Sequence, residues 1–251
     1  MNKTNKNFTI GSWITLGHPS IAEIMCNSGF DWLTIDLEHS SITIKEAEEL
    51  IRVINLCNVK PYVRLTSNNS DQIKRVLDSG AEGIIVPMVN DYNEALKAVE
   101  ACFYPPTGKR SVGLARAQKY GVGLDEYIKW QNKNLSLIVQ IEHIDAIENL
   151  DEIFSLNQIN GYMIGPYDLS ASMGKPGDFH DKKFKEAIDT IVSKASKFNL
   201  KKGIHIVEPD KNLLHEKVKE GFDMIAYSLD IRMIDVSCRN IITEIKNLNL
   251  K

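Results

Sequence analysis

The chain is 251 residues long, 43% hydrophobic and 25% charged, a balance that allows a large packed core and excludes a disordered chain or a coiled coil. A formal net charge of -3 gives no chain-wide positive field, which argues against nucleic acid and anionic membranes as partners. Cys26, Cys57, Cys102 and Cys238 form no C-x-x-C pair, so neither a disulfide framework nor a zinc knuckle is expected, and a reduced, cytoplasmic compartment fits.

The first residues, Met1 to Asn7, are polar and lack the apolar segment of an export signal, and no apolar run reaches the ~18 residues of a membrane span. Residues 1–8 are expected to be flexible. From Phe8 onward, short apolar runs rich in β-branched residues alternate with segments of helical period, the pattern of parallel βα units. Eight strands are predicted, at Ile10 to Thr15, Trp32 to Asp36, Pro61 to Leu65, Gly83 to Pro87, Ser136 to Ile141, Gly161 to Ile164, Lys202 to Ile206 and Asp223 to Tyr227.

Between them, Thr43 to Cys57 places Ile44, Ala47, Leu50, Ile51 and Ile54 on one stripe. Ser70 to Ser79 does the same with Ile73, Val76 and Leu77 and closes on Gly80. Phe184, Ala187, Ile188, Ile191, Val192 and Ala195 form a further stripe. Pro209 is expected in the first turn of the next helix and Gly221 just past its end. With no Pro/Gly/Ser-rich linker and no shift in composition, this order predicts one (β/α)₈ TIM barrel over residues 1–251 rather than a doubly wound sheet. Gly121-Val122-Gly123 lacks the third glycine of a dinucleotide fingerprint, and Gly108-Lys109 lacks the earlier glycine of a P-loop. The connection from Tyr104 to about Gly123, carrying Lys109, Arg110, Arg116 and Lys119, is too long for a βα linker and is expected to serve as a lid. A last amphipathic helix, Asp235 to Leu248, would close the barrel or pack on a neighbouring subunit.

Chemistry in such barrels gathers at the C-terminal ends of the strands. There the sequence offers Asp36-Leu37-Glu38-His39, Arg64, Pro87, Gln140 with Glu142, and Gly165 to Asp168. Glu142 and Asp168, at the ends of successive strands, form an oxygen-only pair suited to a hard divalent cation, Mg²⁺ or Mn²⁺. His39 is the candidate general base or a structural histidine. Arg64 either stabilises a developing enolate or pairs with Asp36 or Glu38. Gln140 faces a ligand or packs inside the barrel. His18, His143, His180, His205 and His215 show no metal spacing and are assigned no chemistry.

These residues resemble the HpcH/HpaI family of metal-dependent class II pyruvate aldolases. The resemblance is carried by Gly29-Phe30-Asp31-Trp32, Ile35-Asp36-Leu37-Glu38-His39, Val63-Arg64, Gln72-Ile73-Lys74 through Leu77-Asp78, and Val86-Pro87-Met88-Val89. It continues in Tyr104-Pro105-Pro106-Thr107-Gly108-Lys109-Arg110, Val139-Gln140-Ile141-Glu142, and Ile164-Gly165-Pro166-Tyr167-Asp168-Leu169-Ser170.

The resemblance implies a barrel, commonly hexameric, that reversibly cleaves a 4-hydroxy-2-oxoacid to pyruvate and an aldehyde through an enolate held on Mg²⁺ or Mn²⁺, with Co²⁺ also suited. By position it implies Glu142 and Asp168 as metal ligands, Gln140 and the backbone of Tyr167 as substrate contacts, His39 as proton acceptor and Arg64 as transition-state stabiliser. Asp36 stands beside them in the catalytic set. Asp78 is implied as the acid that raises the basicity of His39; it lies near the end of a helix that points to the opposite face, so either a neighbouring subunit supplies it, the favoured reading, or the local geometry is irregular. Tyr167 stands where close relatives often have a small residue, Ser41-Ile42 replaces a proline-containing turn, and the lid is short. The rival readings are a CoA-thioester lyase of the citrate lyase β or malyl-CoA type and a catalytically silent barrel that binds metal and oxoacid.

Overall fold

The computed structural model describes residues 7–248. Its eight strands are all parallel and close in sequence order into one barrel: β1 (Thr9–Ile14), β2 (Trp32–Asp36), β3 (Lys60–Arg64), β4 (Gly83–Val86), β5 (Ser136–Ile141), β6 (Gly161–Ile164), β7 (Lys201–Ile206) and β8 (Met224–Leu229). The helices around it are α1 (Pro19–Asn27), α2 (Ile44–Leu56), α3 (Ser70–Asp78), α4 (Tyr92–Cys102), α5 (Leu124–Asn134), α6 (Ala146–Phe154), α7 (Pro166–Ser172), α8 (Lys182–Ala195), α9 (Lys211–Lys219) and α10 (Asp230–Asn247). The expected (β/α)₈ barrel is therefore present. Among the described residues no helix is long and apolar enough to cross a membrane.

The helix ends follow from local chemistry. Thr43 and Glu46 form a reciprocal capping box before α2, and Asn69, Asp91 and Asp181 accept backbone N–H groups at the starts of α3, α4 and α8. Gly80 and Gly221 follow α3 and α9 with φ of +100° and +79°, the left-handed turn that ends a helix without a Cβ clash. Pro209 lies outside α9, contrary to expectation. Asp210 caps that helix by accepting from the N–H groups of Asn212 and Leu213, so the proline is left before the cap.

Two hydrophobic layers result. Ala47, Leu50, Ile51 and Ile54 of α2 and Ile73, Val76 and Leu77 of α3 join the shell between helices and strands. Trp13, Trp32, Tyr62, Ile85, Ile138, Met163, Met224 and Ala226 fill the barrel interior. A Cβ on Gly11 would lie 2.1 Å from the Trp32 ring, so the aromatic floor depends on that glycine.

The segment expected to be flexible lies outside the described residues over 1–6, while Phe8 is half-buried and packs on the core. Two further expectations are corrected. The last helix begins at Asp230 rather than Asp235, because the Asp230 carboxylate is buried and anchors the turn by accepting from Thr15 N, Thr15 Oγ1 and Leu16 N. The long connection is not a lid over the mouth of its own barrel. It leaves the C-terminus of α4 at the opposite rim, where Arg110 binds Asp78, Tyr127 and Gln131 while Arg116 donates to Asn55 and the Ser79 carbonyl. No apolar stripe in the sequence announces α5, which extends this segment before β5.

Candidate active site

The C-terminal rim surrounds a cavity of about 420 Å³ lined by Asp36, His39, Arg64, Gln140, Gly165, Tyr167 and Asp168, among others. Strand register brings these residues together. Asp36 and Arg64 are Cα partners on β2 and β3, and Gln140 and Ile141 pair with Met163 and Ile164 on β5 and β6. Glu142 and Gly165 therefore follow neighbouring strand ends, and Asp168 sits in the first turn of α7.

Arg64 is buried and fully engaged. Its Nε donates to Asp36 Oδ1 at 2.9 Å and its Nη2 to Asp36 Oδ2 at 2.7 Å, while Nη1 lies 2.9 Å from Glu38 Oε2. The guanidinium also stands over the Trp13 ring at 4.4 Å. Burial alone would lower its pKa, but the hydrogen bonds and charges of Asp36 and Glu38 raise it, so the cation is held permanently at the mouth. Asp36 Oδ1 further accepts from the backbone N–H of Glu38 at 3.0 Å and of His39 at 3.4 Å, which fixes the turn that carries His39. The His39 side chain is 66% exposed and reaches the mouth from its edge.

Glu142 is 2% exposed and accepts from the Met88 backbone N–H at 2.7 Å on Oε1 and from Gln140 Nε2 on Oε2. Burial pushes its carboxyl up to about 7 against the opposing pull of those two donors, and the nearby charges of Glu38 and Asp168 add to the rise. Glu38 is raised as well, first by burial. The site thus crowds Glu38, Glu142 and Asp168 with less positive charge than they need, the condition in which a divalent cation is bound with gain. The donors are all oxygen, and Gln140 Oε1 is buried without a hydrogen-bond partner among the described residues. These observations fit a hard cation held by Glu142 and Asp168.

Gly165 is what lets Glu142 lean into the site. A Cβ there would stand 2.6 Å from Glu142 Oε2 and 2.9 Å from Glu142 Cβ.

The family model of HpcH/HpaI aldolase/citrate lyase matches residues 9–235. The chain belongs to that family. It is 37% identical over 226 residues to a hydroxypyruvate/pyruvate aldolase of Sagittula stellata, covering 90% of this chain and 88% of that one. It is 34% identical over 223 residues to a 2-keto-3-deoxy-L-rhamnonate aldolase of Escherichia coli, covering 88% and 82%. A solved HpcH/HpaI aldolase from Desulfitobacterium hafniense superposes with a TM-score of 0.89 at 26% identity, covering 97% of this chain and 94% of that one. Membership with relatives of this kind makes the protein a class II aldolase, a carbon–carbon lyase.

Within this HpcH/HpaI barrel, one expected residue lies elsewhere. Asp78 ends α3 at the N-terminal rim, where its Oδ1 accepts from Arg110 Nη2 at 2.5 Å and Gln118 Nε2 at 3.1 Å, and it does not line the cavity of its own chain. Two contributors escaped sequence reasoning. Met88 has φ of +53°, unusual for a side-chain-bearing residue, and this turn aims its N–H at Glu142. His205, given no chemistry, projects from β7 into the cavity. Its position two residues after Gly203 on an inward-facing register was the only available signal.

Proposed function

We propose that the protein reversibly cleaves a 4-hydroxy-2-oxoacid to pyruvate and an aldehyde with the help of one divalent cation, Mg²⁺, Mn²⁺ or Co²⁺, held by Glu142 and Asp168. The observation that carries this reading is the convergence of the buried Glu142, the half-buried Glu38 and the exposed Asp168, all oxygen donors, near a fixed guanidinium. When bound, the cation supplies a Lewis acid for the 2-keto oxygen and carboxylate of the oxoacid.

The chain's own residues do the rest. Gln140 and the backbone at Tyr167 orient the oxoacid end. Arg64, held by Asp36 and Glu38, stabilises the negative charge that develops on the keto oxygen. His39, directly or through a water, takes the C4 hydroxyl proton. As that proton leaves, the C3–C4 bond breaks, the aldehyde carbonyl forms, and the bonding pair passes to the oxoacid as an enolate, which is protonated at C3 to give pyruvate. No lysine lines the cavity among the described residues, which leaves a Schiff base without its amine. Lys202 instead donates to the Glu220 carbonyl at the other rim. Arg64 is likewise the only arginine in that lining, so a CoA diphosphate finds no added basic site.

The test is proton exchange at the pyruvate methyl in D₂O, with no aldehyde present. Exchange should stop with a chelator and return with Mn²⁺. Exchange that ignores the chelator, or none under any condition, would overturn the metal-assisted enolate.

A homo-oligomer, with a hexamer implied by resemblance, and a cytoplasmic location belong to the same proposal. All four cysteines are unpaired, as a reducing compartment requires. Ile231, Ile234, Ile241, Ile242 and Ile245 of α10 are each 43–51% exposed, an apolar face suited to a second copy. With Asp78 Oδ1 held by Arg110 and Gln118, its Oδ2 remains to meet the His39 of a partner subunit. Mixing inactive His39→Ala and Asp78→Ala variants under subunit exchange should restore activity. Failure to restore it, with exchange demonstrated, would show that Asp78 and His39 do not meet across subunits.

A further inference from the structure

His205 occupies an unusual position. It projects from β7 into the cavity, its ring centroid 5.1 Å from that of Trp13, the same indole that carries the Arg64 guanidinium. Its Nε2 lies 3.3 Å from the Ser228 carbonyl oxygen. That carbonyl is held firmly. Ser228 has φ of +55° at the point where pairing between β8 and β1 shifts register, it also accepts from Ser12 Oγ at 3.2 Å, and its own hydroxyl donates to the Val207 carbonyl. A strained backbone kept in place by this many contacts is a positioned feature.

A carbonyl oxygen only accepts, so the proton of His205 belongs on Nε2. Nδ1 is then a lone-pair acceptor, and it has no hydrogen-bond partner among the described residues. Burial and the Arg64 charge push the imidazole down to about 4, which keeps it neutral at physiological pH. The single lysine or arginine of the cavity lining, Arg64, is already matched by Asp36 and Glu38. The described residues therefore offer an aldehyde substituent a neutral acceptor and no uncommitted cation.

We propose that His205 is a specificity-determining residue whose Nδ1 accepts a hydrogen bond from a hydroxyl on the aldehyde-derived half of the substrate, so that the preferred partners of pyruvate are neutral hydroxyaldehydes rather than simple or carboxylate-bearing aldehydes. This rests on the aldolase reading above. A hydroxyl donor satisfies the acceptor, an alkyl group leaves it unpaired, and a carboxylate, with no proton to give, sets two acceptors and an unmatched charge face to face.

The experiment measures kcat/KM for addition of pyruvate to glycolaldehyde, acetaldehyde and glyoxylate in the wild type, His205→Leu and His205→Asn, whose amide can occupy the Nδ1 position. Comparing the aldehyde-to-aldehyde ratio of each variant with that of the wild type cancels the intrinsic reactivity of the aldehydes and any general loss of activity. Loss of one such hydrogen bond should reduce the glycolaldehyde-to-acetaldehyde ratio about tenfold in His205→Leu, with partial recovery in His205→Asn. A ratio unchanged within about twofold in folded His205→Leu, or a glyoxylate-to-acetaldehyde ratio that falls in His205→Leu, would overturn the proposal. Methyl exchange of pyruvate in the wild type, which needs no aldehyde, separates these outcomes from failure of the aldolase reading itself.

Discussion

Replacing Arg64 by lysine is expected to lower kcat by about 10² to 10³, the usual loss when one positioned donor to a developing oxyanion is removed. Lysine keeps the charge but not the fork. The guanidinium meets both oxygens of Asp36 at 2.9 and 2.7 Å and still presents Nη1 to Glu38, a geometry that one ammonium cannot reproduce. Asp36, only 2% exposed, would be left with part of its carboxylate unpaired, and the turn bearing His39 hangs from that same carboxylate. Both the stabilising charge and the proton acceptor should therefore move. Steady-state kinetics at saturating Mn²⁺, with circular dichroism to establish folding, checks this, and a loss smaller than about tenfold would show that Arg64 serves only structure.

The second large effect is expected from a single added methyl. Gly165→Ala places a carbon 2.6 Å from Glu142 Oε2, closer than any side chain tolerates, and 2.9 Å from Glu142 Cβ. Glu142 cannot retreat without breaking its bonds from Met88 and Gln140. A ligand shifted by about 1 Å typically costs on the order of a hundredfold in rate, and disturbance of the groups that orient a ligand costs about 10- to 100-fold in metal affinity. Gly165→Ala should show both losses while the barrel stays folded. Native Mn²⁺ affinity in that variant would mean that Glu142 is not where the cation binds.

Much of the barrel was legible because each strand is a short apolar run between polar punctuation. The expected bounds of β2, β5 and β6 coincide with the observed ones. β8 ran longer than expected because Ser228 interrupts the pattern with a left-handed turn before pairing resumes at Leu229, a backbone event that composition does not signal. α10 began earlier because Asp230 is tied to Thr15, more than two hundred residues away in sequence.

The same division holds in the site. Asp36, Arg64, Gln140 and Asp168 lie at strand ends and were readable from order alone. The support of Glu142 by Met88 and the role of Gly165 depend on angles between neighbouring strands. The basic loop was misplaced because its length was visible and its starting rim was not. It follows a helix rather than a strand, so it gathers at the N-terminal rim around Asp78.

The most direct measurement is a Mn²⁺ titration of the wild type, Glu142→Ala and Asp168→Ala across pH 5.5 to 8.5. A raised folded carboxyl prefers its proton. Glu142, pushed up to about 7, therefore favours the metal-free fold at low pH and ceases to do so as pH rises through that value. A cation competes with that proton. Its affinity should consequently weaken by up to about tenfold per pH unit below about 7 and level off above it. One ion per chain is expected in the wild type, with binding lost in each single variant. Full-strength binding of one ion in both variants would contradict the shared site and the chemistry built on it.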